Sequence, residues 1–154
     1  MTKVLLIDVD STIPNLALMK VSAYYKQLGY EVGFSIVDPD IVYSSIIFRK
    51  NGHKSDGLRF YYPDAEINIG GSGYDLKKEL PPEIEATRPD YDLYPECDHY
   101  LGFTSRGCIR NCHFCIVRKK EGPFRKVQDV SDICTGRNFK SCVLMDNNIL
   151  ADKQ

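Results

Sequence analysis

Apolar and polar positions alternate between two periods along this chain, and the switches between them outline its elements. Lys3–Asp8, "KVLLID", is a short apolar run of the kind that fills a strand buried on both faces. "DSTIPN" then supplies turn formers, with Pro14 acceptable in the first turn of a helix. From Asn15 to Leu28, Leu16, Met19, Ala23 and Leu28 recur at helical spacing, Lys20, Lys26 and Gln27 fall on the outward side, and Gly29 closes the helix. "YEVGFSI" (30–36) reads as a second strand. The order strand–helix–strand predicts a parallel pair with a right-handed crossover.

The β-branched and aromatic run Asp40–Phe48 predicts a third, central strand. A polar stretch and "LRFYYPDA" lead to a fourth strand, "EINIGG", which ends in Gly70-Gly71-Ser72-Gly73. Residues 81–97 change character, with four prolines, several acids and two tyrosines, and read as a surface connector between two folding units. Beyond it, "HYLGFTS" (99–105) is a new strand. "RKKEGPFRKV" reads as extended, "VQDVSDICTGRNF" (127–139) as helical, and "SCVLMDNNIL" (141–150) as a last strand. The pattern predicts an α/β protein: a Rossmann-like parallel sheet over 1–80, a connector over 81–97, and a strand–helix–strand unit over 98–154.

Composition narrows the function classes. Among 154 residues, 43% are hydrophobic and 27% charged, as in a globular protein. No apolar run approaches the ~20 residues that span a bilayer, so no membrane partner is expected. The N-terminus lacks a small-residue cleavage site and reads as a strand, not a signal peptide. A net charge of −1 excludes a globally basic nucleic-acid binder. Six cysteines without an export signal suggest a reducing, cytoplasmic setting with thiols available for metals.

The densest chemistry lies in "GFTSRGCIRNCHFCIVRKK", with Cys108, Cys112 and Cys115 at C-x3-C-x2-C spacing. Three thiols so close cannot pair as disulfides without strain, and their number is odd. Crowded thiolates of this kind point to a metal or iron–sulfur site. A structural zinc site with His113 or Cys97 as fourth ligand is the second reading of the same residues.

With Phe114 in the aromatic position, this loop resembles the C-x3-C-x-aromatic-C signature of radical S-adenosylmethionine enzymes. The resemblance implies that Cys108, Cys112 and Cys115 hold three irons of a 4Fe–4S cluster. S-adenosylmethionine would chelate the open fourth iron, and one electron would cleave it to a 5′-deoxyadenosyl radical. It further implies a partial (β/α) barrel, an electron donor such as a flavodoxin or ferredoxin, and Phe114 packed near the adenine. The family places small or polar residues after its second barrel strand to receive the methionine amino group. Asp146, Asn147 and Asn148 stand there, where Gly-Gly-Glu is the common form.

The N-terminal sheet resembles the cobalamin-binding-type domain that precedes the barrel in many of these enzymes. The Asp-x-His-x-x-Gly element that ligates cobalt in one cobalamin class is absent. The family's barrel has about six strand–helix units where this chain carries two, which implies a fragment of a longer enzyme or a truncated product. A non-catalytic iron–sulfur or zinc module and an inactive fragment are the alternatives. The substrate is not identified.

The remaining residues of chemical interest take plainer readings. Cys97, Cys134 and Cys142 are scattered and read as small apolar residues, and His53, His99 and His113 as groups without a ligand role. Gly107 and Arg110 are expected to shape the cysteine loop. "GGSG" reads as a tight turn in preference to a phosphate cradle. Arg118, Lys119, Lys120, Arg125 and Lys126 form a small basic patch, read as a solvated strand edge in preference to an RNA contact. Tyr24, Tyr25, Tyr43, Tyr61 and Tyr62 read as packing residues.

Overall fold

A computed structural model of the chain describes residues 1–151. It divides into two compact units, Met1–Pro95 and Glu96–Gln154.

In the first unit, β1 (Lys3–Asp8), β2 (Glu31–Gly33), β3 (Ile41–Ser45) and β4 (Glu66–Gly70) form a wholly parallel sheet in the order β2-β1-β3-β4. Alternate residues of β1 feed two cores. Val4 and Leu6 pack with Leu18 and Val21 of α1 (Leu16–Gln27), with Tyr43 and with Ile84. Leu5 packs on the other face with Val42, Ile46, Ile69 and Leu58 of the short helix α2 (Leu58–Tyr61). A parallel sheet covered on both faces is the Rossmann-like α/β arrangement expected.

Helix α1 starts where Asn15 caps it, its side chain accepting from the N–H of Leu18 at 3.2 Å. Gly29 adopts φ +80° just past its end. Its buried face is Leu18, Met19, Val21 and Ser22, not the row ending at Leu28, which is half exposed. The strands are shorter than their apolar runs. Lys3 draws residues 37–40 back towards the start of β1, its backbone N–H donating to Asp40 and its Nζ to the Val37 carbonyl. Strand β2 therefore ends at Gly33. Strand β3 ends at Ser45 because the Asp10 carboxylate accepts from the N–H groups of Ile47 (2.7 Å) and Phe48 (3.0 Å), which are then lost to the ladder.

Residues 82–94 are not a loose connector. Ile84 is 2% exposed within the core of the first unit. Asp90 accepts from Ser22 and Lys26, and Lys20 pairs with Glu85 at 2.7 Å. Two lysines placed on the outward side of α1 are thus paired, Lys20 largely covered and Lys26 still exposed. Burial raises the Asp90 pKa, but hydrogen bonds from Lys26 and Ser22 outweigh it and leave the carboxyl below its usual range. Tyr25 and Tyr43 share a hydroxyl–hydroxyl contact at 3.2 Å, whereas Tyr61 lies exposed against Phe60.

In the second unit, β5 (Tyr100–Gly102) and β8 (Cys142–Leu144) are parallel, with Gly102 opposite Leu144. Strand β6 (Ser105–Arg106) pairs antiparallel with β7 (Arg125–Lys126). Two short helices, α4 (Val117–Glu121) and α5 (Val130–Ile133), lie between, and the proline-containing α3 (Pro82–Glu85) belongs to the first unit. The basic stretch expected to be extended is thus helical up to Glu121. The helix expected over 127–139 is one turn, opened by a capping box between Asp129 and Asp132 and followed by Gly136 at φ +82°. No helix among the described residues is long and apolar enough to cross a membrane.

Candidate metal centre

The cysteine loop is held at its base. It leaves β6, and the chain returns through α4 to β7, so the β6–β7 pairing closes it. Gly107 opens the loop at φ +75°, where a Cβ would lie 2.2 Å from the Pro123 carbonyl oxygen. Only glycine fits that crossing. Its N–H donates to Oε2 of Glu121 at 3.0 Å.

Glu121 is the hub of this base. Its side chain is 7% exposed and faces Arg106 at 3.3 Å, while Oε2 also accepts from the Asn147 amide at 2.7 Å. The Arg106 guanidinium in turn lies over the Phe103 ring, 4.0 Å from its centroid. A single glutamate inside a basic run carries no motif, so sequence reasoning had no signal for it beyond its sign. The basic patch largely serves the same end: Arg118 donates to the Cys108 carbonyl, Arg125 to the Glu121 carbonyl, and Lys126 pairs with Asp129.

The strand end after β8 folds over this base. Asp146 accepts from the backbone N–H and hydroxyl of Thr104 (3.1 and 2.9 Å) and from the N–H and hydroxyl of Ser105. Burial raises its pKa, yet these bonds prevail and hold the carboxyl low. Asn147 reaches Glu121, and Asn148 donates to Sγ of Cys108 at 3.5 Å. Asp146, Asn147 and Asn148, three of the four residues expected to contact a cofactor, are thereby gathered around the entry to the cysteine loop. Asp146 acts there as a clamp on Thr104 and Ser105.

Within the loop, Sγ of Cys108 also accepts from the N–H of Arg110 at 3.4 Å. That bond first, then the Asn148 amide and the nearby Arg110 and Arg118 charges, lowers the Cys108 thiol pKa. The N–H of Cys115 donates to the Cys112 carbonyl at 3.1 Å, so these two cysteines flank one turn. Phe114 is 79% exposed, with His113 edge-on to its ring. Cys97 is buried and its thiol donates to the His99 carbonyl. Among the described residues, no three His, Cys, Asp or Glu side chains are gathered to hold a metal ion. In kind, the donors fit one: three thiols on one loop, with amide and guanidinium groups to support thiolates.

In the first unit the glycine run is a tight turn. Gly71 (φ +96°) and Gly73 press on the backbone of Ile46 and Phe48, where a Cβ on Gly71 would lie 2.2 Å from the Ile46 carbonyl oxygen. A cleft of about 450 Å³ opens at the carboxyl end of β1, lined by Leu6, Ile7, Asp8, Ser11, Phe34 and Tyr94. No family model matches the chain, and no curated protein matches it at a significant level.

Proposed function

We propose that the second unit binds a 4Fe–4S cluster through Cys108, Cys112 and Cys115 and works as part of a radical S-adenosylmethionine protein. The observation that carries this reading is the three-thiol loop on a locked base, with the residues after β8 folded onto its first cysteine. When bound, the cluster would supply one electron to the sulfonium of S-adenosylmethionine. The chain's own residues hold and orient. Gly107 and Glu121 fix where the loop begins, Arg110 and Asn148 donate to Cys108 sulfur, and Asp146 keeps Thr104 and Ser105 beneath it. Phe114 offers an exposed ring to cover a bound ligand. The parallel β5–α5–β8 unit, with the candidate residues at the carboxyl ends of its strands, supports a (β/α) barrel context.

Cobalamin, which the resemblance of the first unit leaves open, is not needed for this reading. The test is anaerobic reconstitution with iron and sulfide, followed by electron paramagnetic resonance of the reduced protein. The expected result is a cluster signal that changes when S-adenosylmethionine is added. A cluster signal indifferent to S-adenosylmethionine would leave only an electron-transfer or structural cluster.

A further inference from the structure

The cleft at the carboxyl end of β1 is lined entirely by residues of the first unit. Strand β1 is also where the strand order reverses, with β2 on one side of it and β3 on the other. Ligands of open parallel α/β sheets bind outside the carboxyl ends of the strands at such a point, and about 450 Å³ is within the usual range of small-molecule sites. The walls define the chemistry that fits. Leu6 and Ile7 give an apolar floor, and the Phe34 and Tyr94 rings meet at 69°, centroids 5.4 Å apart, to make an aromatic corner. Asp8 sets the polar end. Its Oδ1 accepts from the Ser11 N–H at 3.1 Å and its Oδ2 from the Tyr94 hydroxyl at 2.6 Å. Both donors are neutral, and among the described residues no Lys, Arg or His pairs with this half-buried carboxylate. Two of the roughly four acceptor positions of a carboxylate are thus left for a ligand. Ser11 is held from behind, its hydroxyl accepting from the Asn15 amide at 2.9 Å, and Asn15 also reaches Ser45 at 2.8 Å.

We propose that this cleft binds a small organic cation, a protonated amine carried on an apolar body. A fixed negative charge beside two aromatic rings, with no Lys, Arg or His in the lining, attracts a cation and disfavours phosphates and carboxylates. The ammonium donates to Asp8 and lies against the Phe34–Tyr94 corner, while its body lies along Leu6 and Ile7. The hydrogen bond from Tyr94 ties the acid to the ring, so a ligand engages both at once. The carboxylate bond is charge-assisted and the rings add a cation–π attraction, so the charge of the ligand carries most of the preference over a neutral analogue. This site is independent of the cluster proposal.

The test titrates the full chain at neutral pH with 2-phenylethylammonium and with two probes of similar shape, neutral 2-phenylethanol and anionic 3-phenylpropionate. Binding is followed through the ring NMR signals of Phe34 and Tyr94. The expected result is saturating shifts of both rings with the ammonium, binding of the alcohol weaker by about tenfold, and no binding of the carboxylate. Asp8→Asn, whose amide can still bond to Ser11 and Tyr94, should weaken the ammonium by about tenfold and erase its advantage over the alcohol. Phe34→Leu removes a ring that is 40% exposed and should weaken the ammonium by about threefold or more, which decides the matter even where Asp8→Asn does not fold. Equal affinity for the three probes, ring signals that the ammonium leaves unmoved, or undiminished ammonium binding in Phe34→Leu would overturn the proposal.

Discussion

At the scale of single residues, Gly107 and Asp146 carry the argument. At Gly107 a side chain meets both a left-handed backbone and the Pro123 carbonyl oxygen 2.2 Å away. Gly107→Ala is expected to destabilise the second unit by about 2 kcal/mol or more, read as a lower urea midpoint. Asp146 accepts from four donors of Thr104 and Ser105. Asp146→Asn keeps the shape but removes the charge, and a loss of about 1–3 kcal/mol is expected. Because the folded-state pKa of Asp146 is lowered, its contribution is present above the unfolded carboxyl pKa and is lost as pH falls through the folded one. Wild type should therefore lose stability on acidification more steeply than Asp146→Asn, with the two curves converging at the acid end. Parallel acid limbs in equilibrium unfolding would contradict that role.

At the scale of elements, the segment 82–94 decides how the first unit is built. Ile84 lies in the core beside Val4, Leu6 and Val21. Ile84→Ala is expected to cost about 2–4 kcal/mol, whereas Phe60→Ala, at a ring 85% exposed, should stay within about 0.5 kcal/mol. Equal, small losses in denaturant unfolding would return 82–94 to the standing of a linker.

The same segment shows where the sequence was readable and where it was not. Continuous apolar runs disclosed β1 and β3, and Asn15 with Gly29 bounded α1, because these signals are local. Proline density suggested a connector since nothing local reveals that Ile84 has a pocket in another element, or that Lys26 and Ser22 await Asp90. Strand ends failed for the same reason. Asp10 and Lys3 act across 37 residues to shorten β3 and β2. The single turn of α5 was overestimated because helical spacing over 127–139 says nothing of Phe139 turning aside to Tyr100.

At the scale of the whole molecule, the chain combines a Rossmann-like parallel sheet with a separate unit built around a cysteine loop. The loop was legible from spacing alone, since three cysteines within eight residues are rare outside metal chemistry. Its supports were not, because Glu121 and the clamp at Asp146 are long-range partners of ordinary composition. The central claim is that Cys108, Cys112 and Cys115 together bind one iron–sulfur cluster. The most direct measurement is the iron and acid-labile sulfide content of the anaerobically reconstituted chain, beside a variant with all three changed to Ala. The account predicts about four irons and about four sulfides per chain in wild type and a loss of both in the variant. A wild-type chain that takes up zinc and no iron, or a variant that retains its iron, would contradict it.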